Sequence, residues 1–192
     1  MNFSYQAEQW LPYPIEAVFA FFANPENLPA LMPRWQKARL EQARIVPPPS
    51  YSNAKALMAG EGSRITLSFR PFRGLPFRVR WQAEITEFVM NSQFSDRQVS
   101  GPFVFWHHTH RMTSVDRAGI NITVILDQVQ YEPPMGMLGR LANGIFLRRQ
   151  LEQSFAYRQT RIRELLPKYM NPVVPINQQP AAPPSKPGRR TA

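Results

Sequence analysis

The sequence predicts an α+β fold in which a curved antiparallel sheet of about six to seven strands wraps around one long C-terminal helix. Two observations favour this class. Between residues 62 and 131, segments with strand-like alternation follow one another with only short turns between them, and short connections join antiparallel strands. After the Pro-Pro-Met-Gly break at residues 133–136, apolar residues recur at helical spacing over residues 137–166.

The N-terminal elements are predicted to be one strand and two short helices. Residues 2–11 have strand character. Pro14 suits the first turn of a helix, where a missing N–H loses no hydrogen bond, and residues 15–23 carry one apolar face. Pro25 ends this helix, because proline disfavours helical geometry in the residue before it. A second short helix is predicted over residues 26–32.

The remaining chain supplies six strands, a loop, the long helix and a tail. The strands are predicted over residues 35–46, 62–70, 76–88, 92–100, 102–115 and 120–131. Prolines 47–49 open a loop that reaches residue 60, and its Tyr51, Leu57 and Met58 make it a candidate lid. Pro167 is expected to stop the long helix. Residues 1–168 are thus predicted as one domain, and the proline-rich, basic residues 169–192 as a disordered tail.

Amphipathic strands and helices have to bury their apolar faces on one another. A sheet curved around the long helix is the simplest arrangement of these elements. This is the helix-grip fold, which commonly leaves a cavity between sheet and helix.

Composition excludes several classes of function. The chain of 192 residues has no cysteine, so disulfides and thiolate chemistry are ruled out. No apolar run approaches the roughly 20 residues of a membrane span and no signal peptide is evident, so a cytoplasmic protein is expected. The net charge of +10 is compatible with an anionic partner such as a membrane surface or an acidic ligand, and also with a generally basic, solvated surface. The arginines are scattered without a nucleic-acid-binding motif, so no nucleic-acid partner is predicted.

Alternation in the strands indicates which side chains face the helix. In the segment 76–88, aromatic and aliphatic residues share one face and charged residues the other. The residues paired at each turn determine which face the next strand presents. Phe88 is predicted to pair with Gln93, and Val115 with Ile120. The second pairing places His108 opposite Asp127. The inward set is then Phe77, Trp81, Phe94, Asp96, Gln98, Val104, Trp106, His108, His110, Met112, Ile125, Asp127, Val129 and Tyr131.

The same register predicts an apolar outer patch. Either a bulge reverses the parity locally, or a second copy of the chain covers the patch and makes a homodimer. The outward residues are Phe103, Phe105, Ile122, Val124 and Leu126.

Five polar residues converge inside this otherwise apolar shell: Asp96, Gln98, His108, His110 and Asp127. Burying one unpaired polar group costs about 1–3 kcal/mol, so these groups either pair with one another to fix the strand order or form the polar end of a ligand pocket. Both interpretations stay open from the residues alone.

Several stretches resemble the SRPBCC superfamily of START-related helix-grip proteins, in particular its bacterial cyclase/dehydrase-like, ligand-binding branch. The resemblance covers roughly residues 3–167. Its motifs are Gln9-Trp10-Leu11-Pro12 with the helix from Ile15 to Phe22, Asn24-Pro25-Glu26-Asn27-Leu28, Gly101-Pro102-Phe103 with Trp106, His108 and His110, Asp127, Val129 and Tyr131 before Pro134-Met135-Gly136, and Phe155-Ala156-Tyr157-Arg158.

The resemblance implies a cavity that binds or carries a hydrophobic small molecule such as a lipid, quinone or polyketide. It supplies no catalytic set, so a non-enzymatic binding protein without a cofactor is favoured. Apolar contacts are expected from Phe77, Trp81, Trp106, Val129 and Phe155, and polar contacts from Asp96, Gln98, His108, His110 and Asp127.

Three alternatives accompany this hypothesis. The first is a cyclase or dehydratase in which Asp127 orients His108 as general base. The second is a metal site at His108-Thr109-His110, completed by Asp96 or Asp127; His-x-His alone is a weak signal, so no metal is predicted. The third is a basic adaptor for an anionic surface, using the arginines Arg70, Arg73, Arg78 and Arg80 among Phe69, Phe72 and Phe77.

Overall fold

A computed structural model describes residues 2–49, 57–136 and 146–170. Seven antiparallel strands form one sheet in the spatial order β1-β7-β6-β5-β4-β3-β2. The strands are β1 (Phe3–Leu11), β2 (Arg39–Arg44), β3 (Arg64–Phe69), β4 (Val79–Val89), β5 (Gln93–Ser100), β6 (Phe105–Arg117) and β7 (Ile120–Glu132). The helices are α1 (Ile15–Ala23), α2 (Leu28–Leu31) and α3 (Arg148–Met170).

The helix-grip prediction is confirmed, because the sheet encloses the long helix α3 in the predicted element order. Phe155, Ile162 and Leu166 are the buried residues of α3, and their spacing places them on one helical face. Ile162 and Leu166 join Phe19 of α1 and Ile125 of β7 in the main core. This packing fixes the helix against the inner face of the sheet.

Pro167 does not end the helix, contrary to the prediction, since α3 continues to Met170. A proline in the last turn removes only one hydrogen bond. The packing around it offsets that loss: Leu166 is fully buried, and the rings of Tyr169 and Phe21 meet edge-on at 5.3 Å.

Some predicted segments lie outside the described residues. These are the start of the long helix with Leu138, Leu141 and Ile145, the lid residue Tyr51, and the tail from residue 171. At the described end of the lid segment, Met58 is buried and the Ala59 N–H donates to the Ala23 carbonyl at 2.9 Å. That end is therefore part of the core.

The pairing of β6 with β7 differs from the prediction by two residues. Arg117, not Val115, lies opposite Ile120, so His110 faces Asp127 and His108 faces Val129. The cause is a two-residue turn at Ala118 and Gly119, both at positive φ (55° and 80°), a geometry that matches strand twist. A two-residue shift preserves parity, so the predicted inward residues of β7 and those of β6 from Trp106 to Met112 keep their face.

Strand β4 contains a bulge opposite Ser95, which makes Phe88 pair with Phe94 instead of the predicted Gln93. Ile85 pairs with Asp96 as expected. The extra residue lets both Ile85 and Phe88 pack into the main core, although they are three positions apart.

The turn between β5 and β6 reverses two predicted orientations. Val104 is 67% exposed, whereas Phe103 packs inward with ring centroids 5.0 Å from Trp106 and 5.9 Å from Tyr131. The reason is that β6 begins only at Phe105, so alternation does not extend into the turn. The other predicted outward residues, Phe105, Ile122, Val124 and Leu126, lie on the outer face and are partly or well exposed.

Candidate ligand-binding cavity

A cavity of about 650 Å³ lies between the inner face of the sheet and α3. Its volume is within the range of small-molecule sites, roughly 300–1,000 Å³. Strands β3 to β6 form one wall, and α3 forms the other through residues spaced three and four apart. The residues from α3 and the two positions before it are Phe146, Leu147, Gln150, Leu151, Ser154, Phe155 and Arg158.

Seven of the ten residues predicted to contact a ligand line this cavity: Phe77, Trp81, Asp96, Trp106, His108, His110 and Phe155. Phe77 does so from the segment before β4, because that strand begins at Val79 rather than at residue 76.

The other three predicted contact residues, Gln98, Asp127 and Val129, are not among the lining residues. The Gln98 amide is used by the turn, donating to the Phe103 carbonyl at 2.7 Å and accepting from its N–H at 3.3 Å. Val129 is buried in a small core cluster with Trp106 and Phe155. Asp127 touches both histidines but is itself separated from the cavity.

Aromatic rings make up much of the apolar wall. The rings of Trp81 and Trp106 meet edge-on with centroids 4.8 Å apart, and Phe103 contacts both. The indole N–H of Trp81 is buried and has no hydrogen-bond partner within the described residues. This wall therefore offers one unused donor in a predominantly apolar surface.

The polar end of the cavity is built on β6 and β7. His108 and His110 are two residues apart on one face of β6, and Asp127 lies opposite His110 on β7. The Oδ1 atom of Asp127 lies 3.1 Å from Nε2 of His108 and 2.5 Å from Nδ1 of His110. The two imidazole rings are 3.9 Å apart. One buried carboxylate oxygen thus holds both histidines.

The environment moves the pKa values of the two carboxyl groups in opposite directions. Burial alone would raise the pKa of Asp127, but His110, Arg158 and the hydrogen bond with His108 hold it well below its usual range. Burial raises the pKa of Asp96. The atom that approaches the Asp96 carboxyl is Nδ1 of His108, at 3.8 Å, too far for a hydrogen bond.

Burial also lowers the pKa of His110 to about 3, with the neighbouring His108 contributing in the same direction. His110 is 4% exposed. Its imidazole is therefore neutral at physiological pH and can act as a hydrogen-bonding group or as a metal ligand.

Arg158 is a site residue that the sequence analysis did not single out among the arginines of the long helix. Its guanidinium lies 5.0 Å from the ring centre of Phe22 and 5.9 Å from that of Phe155, and it lines the cavity. Its buried Nε has no hydrogen-bond partner within the described ranges. The available signal was its position three residues after Phe155, on the inward face of α3.

Two of the four arginines in the basic segment around β4, Arg78 and Arg73, contact the protein itself. Arg78 donates to the carbonyls of Ser68 and Lys37 at 2.7 and 2.9 Å. Arg73 lies over the ring of Trp35 at 5.8 Å. These two side chains consequently offer less charge to an anionic surface than the sequence suggested.

Comparisons with known proteins agree with this architecture. A family model described as polyketide cyclase/dehydrase and lipid transport matches residues 11–155. No curated protein sequence matches the chain significantly. Within the described residues, none of the helices has both the length and the apolar character needed to cross a bilayer.

Solved structures share the fold at low sequence identity. The ZhuI aromatase/cyclase from Streptomyces sp. R1128 superimposes with a TM-score of 0.61 at 10% identity, covering 88% of this chain and 96% of that one. Norcoclaurine synthase from Thalictrum flavum gives 0.57 at 13% identity, covering 88% and 97%. Ara h 8.0201 gives 0.55 at 11% identity, covering 88% and 99%.

Proposed function

The chain belongs to the polyketide cyclase/dehydrase and lipid transport family, and from this premise we propose that it binds and carries a hydrophobic small molecule of the lipid, quinone or polyketide type. The observation that carries the proposal is the cavity of about 650 Å³ between the sheet and α3. Empty apolar space of this size is uncommon in protein interiors, which pack as densely as organic crystals.

The apolar and the polar lining residues would contact different parts of the ligand. Phe77, Trp81, Trp106 and Phe155 would contact its apolar body. Burial of apolar surface contributes about 25 cal/mol per Å², so an aromatic or aliphatic body supplies most of the affinity. Asp96, His108 and His110 would orient one oxygenated end by hydrogen bonding. Gln98, Val129 and Asp127 would act indirectly, by supporting the turn, the wall and the histidines.

Native mass spectrometry of gently purified protein tests the proposal. We expect a co-purified molecule of lipid or aromatic mass, and saturable uptake of a fluorescent apolar probe such as anilinonaphthalene sulfonate by the stripped protein. The proposal would be contradicted if the protein purified without a bound molecule and took up neither the probe nor fatty acids, quinones or aromatic polyketides.

Filling the cavity should abolish uptake. Ala83 lines the cavity from β4, so Ala83→Phe would place a ring in the ligand volume and remove most of the probe binding. Its neighbour Gln82 faces the other side of the sheet, and Gln82→Leu should leave probe binding unchanged. Overpacking costs about 1–3 kcal/mol, so circular dichroism has to show that both variants fold. Equal probe binding by the two variants would place the ligand elsewhere.

A second candidate function is a cyclase or dehydratase reaction. It is favoured by the opposite pKa shifts of Asp96 and Asp127 on either side of His108, since two carboxyl groups tuned apart are typical of acid–base catalysis. Asp127 would hold the His108 imidazole in one tautomer, and His108 would remove a proton from a bound polyketide.

The variant His108→Gln separates catalysis from carriage. If His108 is a general base, turnover of a linear polyketide thioester should fall about 10²–10⁴-fold while apolar probe binding changes little. Unchanged turnover, or no conversion by the natural protein, would leave only the carrier function.

A further inference from the structure

We propose that Asp96, His108 and His110 form a binding site for one divalent first-row transition-metal ion, such as zinc, at the polar end of the cavity. One ligand atom from each of the three residues lies within 4.8 Å of the other two. All three line the cavity. The proposal does not depend on which organic molecule the cavity holds, or on whether it holds one.

The donor set has the chemistry of such a site. Imidazole nitrogens and a carboxylate oxygen bind zinc and its neighbours at about 2.0–2.2 Å. Tetrahedral donors at that radius lie roughly 3.3–3.5 Å apart, and Nδ1 of His108 is already 3.8 Å from Oδ2 of Asp96. Binding would therefore require the ligand atoms, now within 4.8 Å of one another, to draw together by up to about 1.5 Å. Three protein ligands leave a coordination position open, and here it would open into the cavity.

Asp127 supplies the outer support that metal-binding histidines usually have. Its Oδ1 atom contacts Nε2 of His108 and Nδ1 of His110. This leaves Nδ1 of His108 and Nε2 of His110 for a metal ion. Carboxylates that bind the second nitrogen of a histidine ligand fix its tautomer and orientation. In this arrangement Asp127 is a positioning residue, and Asp96 is the carboxylate ligand.

The carboxylate of Asp96 is only weakly compensated by its surroundings. Its side chain is 17% exposed and makes no hydrogen bond within the described part of the chain. Nδ1 of His108 approaches it only to 3.8 Å, longer than a hydrogen bond, so a metal ion bound between these two atoms would compensate the carboxylate better. When Asp96 and Asp127 are both ionised, their two negative charges outweigh the single positive charge of Arg158, and the site then attracts a dication.

Titration with metal alone tests the site. The full chain, without an affinity tag and stripped by chelator, would be titrated with zinc in a calorimeter and with cobalt(II) in a visible spectrophotometer. We expect one saturable equivalent and the intense visible bands of four- or five-coordinate cobalt. Asp127→Asn should weaken zinc binding about 10–100-fold, and Asp96→Asn should weaken it further.

Matched variants separate a built site from misfolding and from surface binding. Asp96→Asn is isosteric and breaks no hydrogen bond within the described residues, so it should fold like the natural protein. His107 is next to the site but on the opposite face of β6, and His107→Gln should leave the affinity unchanged. Equal zinc affinity in Asp96→Asn and the natural chain, or a loss confined to His107→Gln, would overturn the proposal. The titrations use protein that has also been stripped of organic ligand, and they measure zinc alone, so these outcomes do not depend on apolar uptake.

Discussion

Metal-free protein should lose stability as the pH falls from about 6.5 towards 3, because His110 stays neutral in the folded state. Its pKa is lowered to about 3 by burial, whereas an unfolded histidine titrates near 6.5. Between these values the unfolded chain binds more protons than the folded one, so stability rises with pH there. Each pKa unit corresponds to about 1.4 kcal/mol; the expected loss is about 2 kcal/mol by pH 5, and about 4–5 kcal/mol in all.

The carboxyl groups of Asp127 and Asp96 also change how the free energy of unfolding depends on pH, each in the direction set by its pKa shift. The lowered pKa of Asp127 adds stability that is lost as the pH falls below about 4. The raised pKa of Asp96 acts the other way, since the folded state takes up its proton first. Above about pH 4, the loss of stability due to His110 is therefore opposed by Asp96 and not augmented by Asp127.

Urea unfolding at closely spaced pH values in the presence of a chelator measures the effect. The slope of unfolding free energy against pH between 6.5 and 5 should flatten in His110→Gln and persist in His107→Gln, whose imidazole is on the outer face. An equally steep slope in His110→Gln would show that other groups cause the acid sensitivity.

Replacing Asp127 by alanine should lower the free energy of unfolding by about 2–4 kcal/mol. The carboxylate is 5% exposed and touches both histidines. Its hydrogen bond with Nε2 of His108 contributes about 1.5–3 kcal/mol. The close contact with Nδ1 of His110 adds to this, and the released desolvation of the carboxylate offsets part of the loss. Asp127→Asn should cost less, because the amide oxygen can still accept one hydrogen bond.

Chemical denaturation at pH 7 measures this loss, with Gln128→Ala as the control. Gln128 is the next residue of β7 and is half-buried on the outer face, so its truncation should change stability by no more than about 0.5 kcal/mol. Similar unfolding energies for Asp127→Ala and Gln128→Ala would mean that the contacts of Asp127 contribute little.

Alternation and turn residues were sufficient to predict the fold class, the order of the elements and the inward face of β6. Trp106, His108, His110 and Met112 are all buried, because period-two patterning survives any register error of an even number of residues. The β6–β7 register itself was wrong by two, since the length of the Ala118-Gly119 turn is not encoded in the alternation.

The sequence predicted which residues form the polar end of the site, but not which of them contact one another. Asp127 was expected to face His108 alone, and the observed register makes it shared with His110. Arg158 was missed because a long helix with arginines on several faces gives no local sign of which one is buried. That depends on where the helix lies in the sheet, which is a property of tertiary packing.

The extra residue in β4 also has a consequence for the packing beside the cavity. The bulge follows Ile85, which borders the cavity, and precedes Phe88, whose ring lies 5.2 Å from that of Phe19 and 6.3 Å from that of Phe94. Side chains alternate along a regular strand, so residues three positions apart would point to opposite faces of the sheet. The aromatic contacts of Phe88 with α1 and β5 thus depend on a single surplus position in the hydrogen-bonding pattern of the sheet.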